Sequence, residues 1–295
     1  MTQDSMQAQS IWIKDPLAIL ADGAERGLVL RDGRIDALVP AGVTPAIDNL
    51  TVFEAGQHVV LPGLINTHHH FYQTLTRAVP AAMDRELFPW LQALYPVWAR
   101  LTPESLDLGV TVAMAELLLS GCTTTTDHHY VFPAGLEDAV DIEVAVARRL
   151  GMRVLLTRGS MNRSQRDGGL PPDSVVQDED TILADSERLV ARHHQRGEAA
   201  MVQIALAPCS PFSVTTSLMR ATAALAGRLD VRLHTHLAET EDENRFCEQL
   251  HGCRPLDYLE QCGWLAHLAS ARHPFQRAGN QTARKGRHCD QPLCL

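Results

Sequence analysis

Apolar residues in this chain come in short blocks, and the pattern of the blocks changes once, near residue 57. Up to that point they are brief and strand-like: Ile11-Trp12-Ile13, Gly27-Leu28-Val29-Leu30 and Arg34-Ile35-Asp36-Ala37-Leu38-Val39. Asp32-Gly33 separates the last two, and that dipeptide tolerates the positive φ of a tight hairpin. The pattern predicts a small β-rich unit over residues 1–57.

From residue 58 apolar runs alternate with helical periods. Val59-Val60-Leu61-Pro62-Gly63-Leu64-Ile65-Asn66 reads as a buried strand. Helical stretches are predicted near 86–99 and 103–120, the second opening at Thr102-Pro103-Glu104 as N-cap with Pro in first position. Four further strands are predicted at 122–127, 152–158, 200–207 and 231–236. Helices near 135–150, 179–195 and 215–228 separate them, and two more follow near 240–250 and 255–262. Strands parted by helices of ten or more residues form parallel βαβ units, so the expected class is α/β with about five such units.

Composition narrows the setting. The 295 residues are 45% hydrophobic and 21% charged, enough apolar material for a sizeable core in one large or two ordinary domains. No run of about 18 apolar residues is present, so no membrane span is expected. Met1 to Ile11 is polar and lacks the pattern of a secretion signal. Seven cysteines, an odd number with no C-x-x-C pair, fit a reducing cytoplasm. A net charge of −9 argues against a nucleic-acid surface, which needs clustered Lys and Arg.

Candidate chemistry sits at strand ends. The 59–66 run leads into Thr67-His68-His69-His70, and alternation puts His68 and His70 on one face with His69 pointing away. Core histidines are the plainer reading, but three in a row at a strand mouth favour a metal pair. The run 231–236 ends in His234-Thr235-His236, with Glu239 just beyond. In parallel α/β architectures the loops after the strands build the site, so His68, His70, His236 and Glu239 converge there. Three imidazoles suit Zn2+, or another divalent transition metal such as Fe2+. Such an ion lowers the pKa of bound water to roughly 7, and a carboxylate beside that water carries its proton. Glu239 is the candidate carrier.

Three other positions carry two readings each. Gln73 either hydrogen-bonds a planar ring or is a solvated loop residue. Cys209, beside Pro208 at a strand mouth, faces a substrate edge or fills a small buried space. Arg158 orients a substrate carbonyl or makes a structural ion pair. His128 and His129 line the pocket without ligating the metal.

Leu61-Pro62-Gly63-Leu64-Ile65-Asn66-Thr67-His68-His69-His70 resembles the first-strand motif of the amidohydrolase superfamily. His236-Leu237-Ala238-Glu239 resembles the fifth-strand motif of its single-metal deaminase branch. Four longer strings, His68 to Arg77, Ser120-Gly121-Cys122-Thr123-Thr124, Asp127-His128-His129-Tyr130 and Ala207 to Val214, resemble the branch's purine deaminases. The resemblance covers about residues 10–265. It implies a (β/α)8 TIM-type barrel, here incomplete with about five βα units over 58–265. It also implies a small β-sandwich drawn from both chain ends, of which residues 1–57 are the N-terminal half. His68, His70 and His236 would bind the metal. Metal-bound hydroxide would deaminate a purine-like ring, with Glu239 shuttling protons. Related enzymes hydrolyse s-triazines, guanine or pterins, and motif spacing does not separate these. The partner is a small heterocycle, not nucleic acid or membrane, in a cytoplasmic protein whose full-length relatives form homo-oligomers.

The resemblance also implies a sixth-strand histidine and an eighth-strand aspartate, and neither is recognisable after residue 265. Residues 266–295 hold one acidic residue, Asp290, against five basic ones, without period or alternation. They read as a non-homologous, disordered tail or as a frameshift near residue 265, since codons shifted by one nucleotide permit a sixth-strand-like sequence. A chain ending so would hold metal at best without catalysis, with poor solubility and negligible turnover.

Overall fold

The computed structural model describes residues 10–197 and 199–265. The chain divides into two units, one up to Leu64 together with Arg196–Ala199, the other from Ile65 onward. The tail at 266–295, with its expected disorder or frameshift, lies outside the described residues.

The first unit is β-structure. Strands β1 (Ser10–Lys14), β3 (Gly27–Arg31), β4 (Arg34–Leu38) and β5 (Leu50–Glu54) form one sheet in the order β4-β3-β1-β5. A two-residue pair joins β2 (Ala18–Ile19) to β6 (Val59–Val60). The hairpin read from Asp32-Gly33 is present, with both residues at positive φ. Trp12, Val29 and Val39 make a small core. Strand β5 runs parallel to β1 and was not predicted, because Leu50-Thr51-Val52-Phe53-Glu54 is too short to stand out before its partner is known.

The second unit carries a parallel sheet in the order β10-β9-β8-β7. Its strands are β7 (Leu64–Asn66), β8 (Cys122–His129), β9 (Arg153–Ser160) and β10 (Val202–Pro208). The run predicted as one strand over 59–66 is two, β6 and β7, parted at Pro62-Gly63, where proline has no N–H for a ladder. Residues 231–236 form no regular strand. They make one bridge, Leu206 to Leu233, and bonds such as His234 N to Leu206 O at 3.0 Å and His236 N to Cys209 O at 3.0 Å. That run is paired to β10 in parallel fashion without becoming a full ladder.

Helices fill the connections. They are α1 (Leu87–Trp98), α2 (Pro103–Leu119), α3 (Ala139–Leu150), α4 (Glu179–His193), α5 (Thr216–Leu229), α6 (Glu241–His251) and α7 (Pro255–Gln261). The predicted start of α2 holds, for Thr102 and Ser105 form a reciprocal capping box with Pro103 in first position. Helix α3 begins at Ala139 rather than 135, after the Pro133–Gly135 stretch. Leu106, Val110 and Met114 of α2, Val140 and Val144 of α3, Leu156 of β9 and Ile204 of β10 belong to one continuous buried cluster. Among the described residues no helix is long and apolar enough to cross a membrane.

Candidate metal centre

Chain direction places the histidines. Strand β7 stops at Asn66, and the next four residues carry His68, His69 and His70 before a 3-10 turn over Phe71–Thr76. As alternation predicts, the His68 and His70 rings meet edge to face, with centroids 4.8 Å apart. His69 turns away and packs on Phe71. Segment 231–236, held beside β10, brings His236 to the same place: its ring centroid lies 5.1 Å from both His68 and His70. One nitrogen from each of His68, His70 and His236 lies within 4.8 Å of the others.

Hydrogen bonding sets the tautomers. His70 Nδ1 donates to the His128 carbonyl at 2.7 Å, and His236 Nδ1 to the Cys209 carbonyl at 2.8 Å. Both Nε2 atoms are then unprotonated, and they face each other at 3.1 Å. Two lone pairs so placed repel unless a cation sits between them. Tetrahedral zinc with bonds of about 2.0–2.1 Å holds its ligand nitrogens about 3.3 Å apart, close to this spacing. Backbone carbonyls that fix the second ring nitrogen are the usual support for metal-binding imidazoles. Burial, followed by repulsion from neighbouring imidazoles, pushes His236 down to about 3 and His70 well below the ordinary value. Both rings stay neutral and available as ligands, so the donor set fits a divalent metal.

Glu239 follows the site on a strained link. Ala238 adopts φ 54°, in the left-handed region where a non-glycine residue costs roughly 1–2 kcal/mol. The Glu239 N–H then donates to Glu243 Oε2 at 2.7 Å. Desolvation, and next the Glu243 charge, raises the Glu239 carboxyl to about 7 although the residue keeps an exposed face. Its charge raises Tyr95, Tyr130 and Cys209 slightly, after the larger effect of their burial.

The remaining predicted residues part company. Gln73 Nε2 lies 3.3 Å from the Tyr130 hydroxyl and helps line a cavity of about 290 Å³ with His69, His70, Thr76, Arg77 and Trp90. Cys209 is buried, its Sγ 3.8 Å from His236 Nδ1, and burial raises its thiol to about 12. Arg158 is not brought to the histidines. Its register partner is His129, whose Nδ1 meets Glu143 of α3 at 3.0 Å, so it lies on the helix-covered side of the sheet. There its guanidinium bonds Asp185 at 2.6 Å and Gln177 at 2.7 Å and covers Phe132 at 4.0 Å. The reading of Arg158 as a substrate contact gives way to the structural ion pair.

Three more residues join the site: His128, read as lining the pocket, and His234 and Tyr130, to which no role was given. His234 Nε2 lies 3.2 Å from His68 Nδ1, His128 stacks on His236 with centroids 4.4 Å apart, and Tyr130 meets His70 edge-on at 5.3 Å. Alternation carried the signal, since His234 is two residues before His236 and Tyr130 two after His128.

Fold and site together define a class. Residues 59–276 match the amidohydrolase family, and the chain belongs to that family. It is similar to 8-oxoguanine deaminase of Pseudomonas aeruginosa, at 60% identity over 278 residues, covering 93% of this chain and 62% of that protein. It is also similar to an isoxanthopterin deaminase of an unknown prokaryotic organism, 34% identical, covering 82% of this chain and 52% of that one. Among solved structures, an atrazine chlorohydrolase of Arthrobacter aurescens complexed with zinc matches with a TM-score of 0.75 at 29% identity. That match covers 86% of this chain and 58% of the hydrolase. The chain thus spans between half and two thirds of the length of these relatives.

Proposed function

We propose that the protein is a metal-dependent aminohydrolase that deaminates a purine-like ring, with 8-oxoguanine as substrate and urate and ammonia as products. The observation that carries the reaction class is the facing pair of His70 and His236 nitrogens, followed three residues after His236 by a carboxyl raised to about 7. The substrate rests on the 60% identity to 8-oxoguanine deaminase. His68, His70 and His236 would hold a divalent cation, zinc as in the atrazine chlorohydrolase or iron in its place, which would supply an acidified water with a pKa of roughly 7. Glu239 takes a proton from the attacking water and hands it to the ring nitrogen beside C2, then takes the proton of the new C2 hydroxyl and delivers it to the amine, so that the C2=O bond forms as the C2–N bond breaks and ammonia leaves. A carboxyl near 7 suits both directions of transfer at neutral pH. Gln73, with Tyr130 beside it, holds a polar ring edge, and Cys209 fixes the His236 side of the pocket.

In this reading residues 1–57 form the N-terminal half of a small β-sandwich, and 58–265 form five βα units of an eight-unit barrel in a cytoplasmic protein. The 295-residue polypeptide on its own is expected to hold metal and to release negligible ammonia, since the sixth- and eighth-strand groups implied by the family are not among the described residues. The test is a chimera joining residues 1–265 to the remaining part of the P. aeruginosa relative, assayed for ammonia release. Turnover of 8-oxoguanine above isoxanthopterin and an s-triazine supports the proposal. Preference for the triazine would move the substrate to the class named for the Arthrobacter hydrolase. Absence of turnover with every substrate in a folded, metal-loaded chimera would leave a metal-binding fragment.

A further inference from the structure

The end of β8 grips the metal-binding turn at three points. The His128 N–H donates to the His69 carbonyl at 2.8 Å, and His70 Nδ1 donates to the His128 carbonyl at 2.7 Å. The third grip comes from a side chain, because the Phe71 N–H donates to Asp127 Oδ1 at 2.6 Å. His70 stands just before the 3-10 turn without capping it, so the first amide of that turn is caught by Asp127 instead. The residues on both sides of His70 are thereby fixed, and with them the direction of its Nε2.

Asp127 is fully buried, and its second oxygen faces Glu143 within the same buried group. Two more buried ionisable groups stand beside it, His129 and Glu143. His129 Nε2 donates to the Val131 carbonyl at 2.8 Å, which leaves its Nδ1 unprotonated toward Glu143 Oε1 at 3.0 Å. A proton on Glu143 closes that contact, so Glu143 serves the cluster internally. Burying a carboxylate is costly unless strong bonds compensate, and the bond of Asp127 that leaves the cluster goes to the metal-binding turn.

We infer that Asp127 is a positioning residue for the metal ligand His70, acting through the Phe71 amide, an inference that rests on the metal reading above. Glu143 shares the cluster but makes no bond to residues 69–71, which separates positioning from general packing.

The test measures zinc affinity of the purified 295-residue chain by chelator competition, with circular dichroism as the check on folding. Asp127→Ala weakens zinc binding by about 10–100-fold, the range for losing an outer-shell partner of a metal ligand. Asp127→Asn, which sets an amide against the Glu143 carboxyl and offers the Phe71 N–H a single amide oxygen, weakens it by about 3–10-fold, the cost of about one impaired hydrogen bond, and shifts the absorption bands of the cobalt(II)-loaded chain. Glu143→Gln changes affinity by less than about twofold. A folded Asp127→Asn chain that binds zinc like the parent overturns the inference, whether or not the alanine variant folds. A Glu143→Gln loss equal to that of Asp127→Asn overturns it too. Failure of the parent chain to bind zinc would instead remove the metal reading itself.

Discussion

His70 Nε2 and His236 Nε2 face each other at 3.1 Å, each ring fixed by an Nδ1–H bond to a backbone carbonyl. The two residues are 166 positions apart in the chain, and each arrives on the loop that follows its own β segment. A pair of neutral imidazole acceptors in that relation is useful only with something positive between them. Replacing either by alanine should therefore weaken zinc binding by more than the roughly 100-fold seen for outer partners, to below one equivalent at micromolar zinc. Metal analysis after gel filtration checks this. Full zinc retention in His236→Ala would count against the centre described here.

Arg158 gives the opposite expectation. Its guanidinium is buried and paired with Asp185, which keeps Arg188 at 2.7 Å on its other oxygen, so Arg158→Met removes charge-assisted bonds to Asp185 and Gln177 and costs about 2 kcal/mol of folding stability. Zinc affinity should stay within about twofold, because the side chain lies across the sheet from the histidines. Urea unfolding and chelator titration on the same variant separate the two effects. A lost zinc site with unchanged stability would restore the substrate-side reading of Arg158.

Much of this was legible in the sequence because periodicity and end signals are local. Thr102-Pro103 announced the start of α2, Asp32-Gly33 the hairpin, and the apolar runs the parallel strands. The gathering of the histidines was also legible, since His68-x-His70 and His234-x-His236 are strand-end patterns that read on one strand at a time. What was hidden depends on neighbours. Arg158 looked equally suited to substrate or ion pair until its register with His129 and its contact with Asp185 were known. Strand β5 needed β1 as partner, and 231–236 lost its regular ladder for want of continuous pairing. The bond from Phe71 N to Asp127 crosses 56 residues, and no local pattern points to it.

Ala238 offers a test of stored backbone strain. Its φ of 54° costs alanine roughly 1–2 kcal/mol, whereas glycine occupies that region freely at an entropic cost of about 0.5–1 kcal/mol. Ala238→Gly should stabilise the chain by about 0.5–1 kcal/mol, seen as a higher urea midpoint with unchanged slope. Destabilisation would mean that the alanine methyl makes contacts worth more than the strain.

Glu239 sets a pH dependence whose sign follows from its raised carboxyl. The folded chain holds the proton up to about 7, while the unfolded chain releases it near the ordinary value of 4.5. Between those values the folded state binds more protons, so this group's contribution is fully present below pH 4.5 and is lost as pH rises to about 7. Glu239→Gln removes the titration. The stability difference between variant and parent should therefore grow in the variant's favour from pH 5 to pH 8, then level off. In the chimera the same substitution should abolish ammonia release while zinc stays bound, because the amide cannot carry a proton and none of the three metal histidines is touched. A variant that keeps turnover, or a stability difference flat across that window, would move the proton-carrying role away from Glu239.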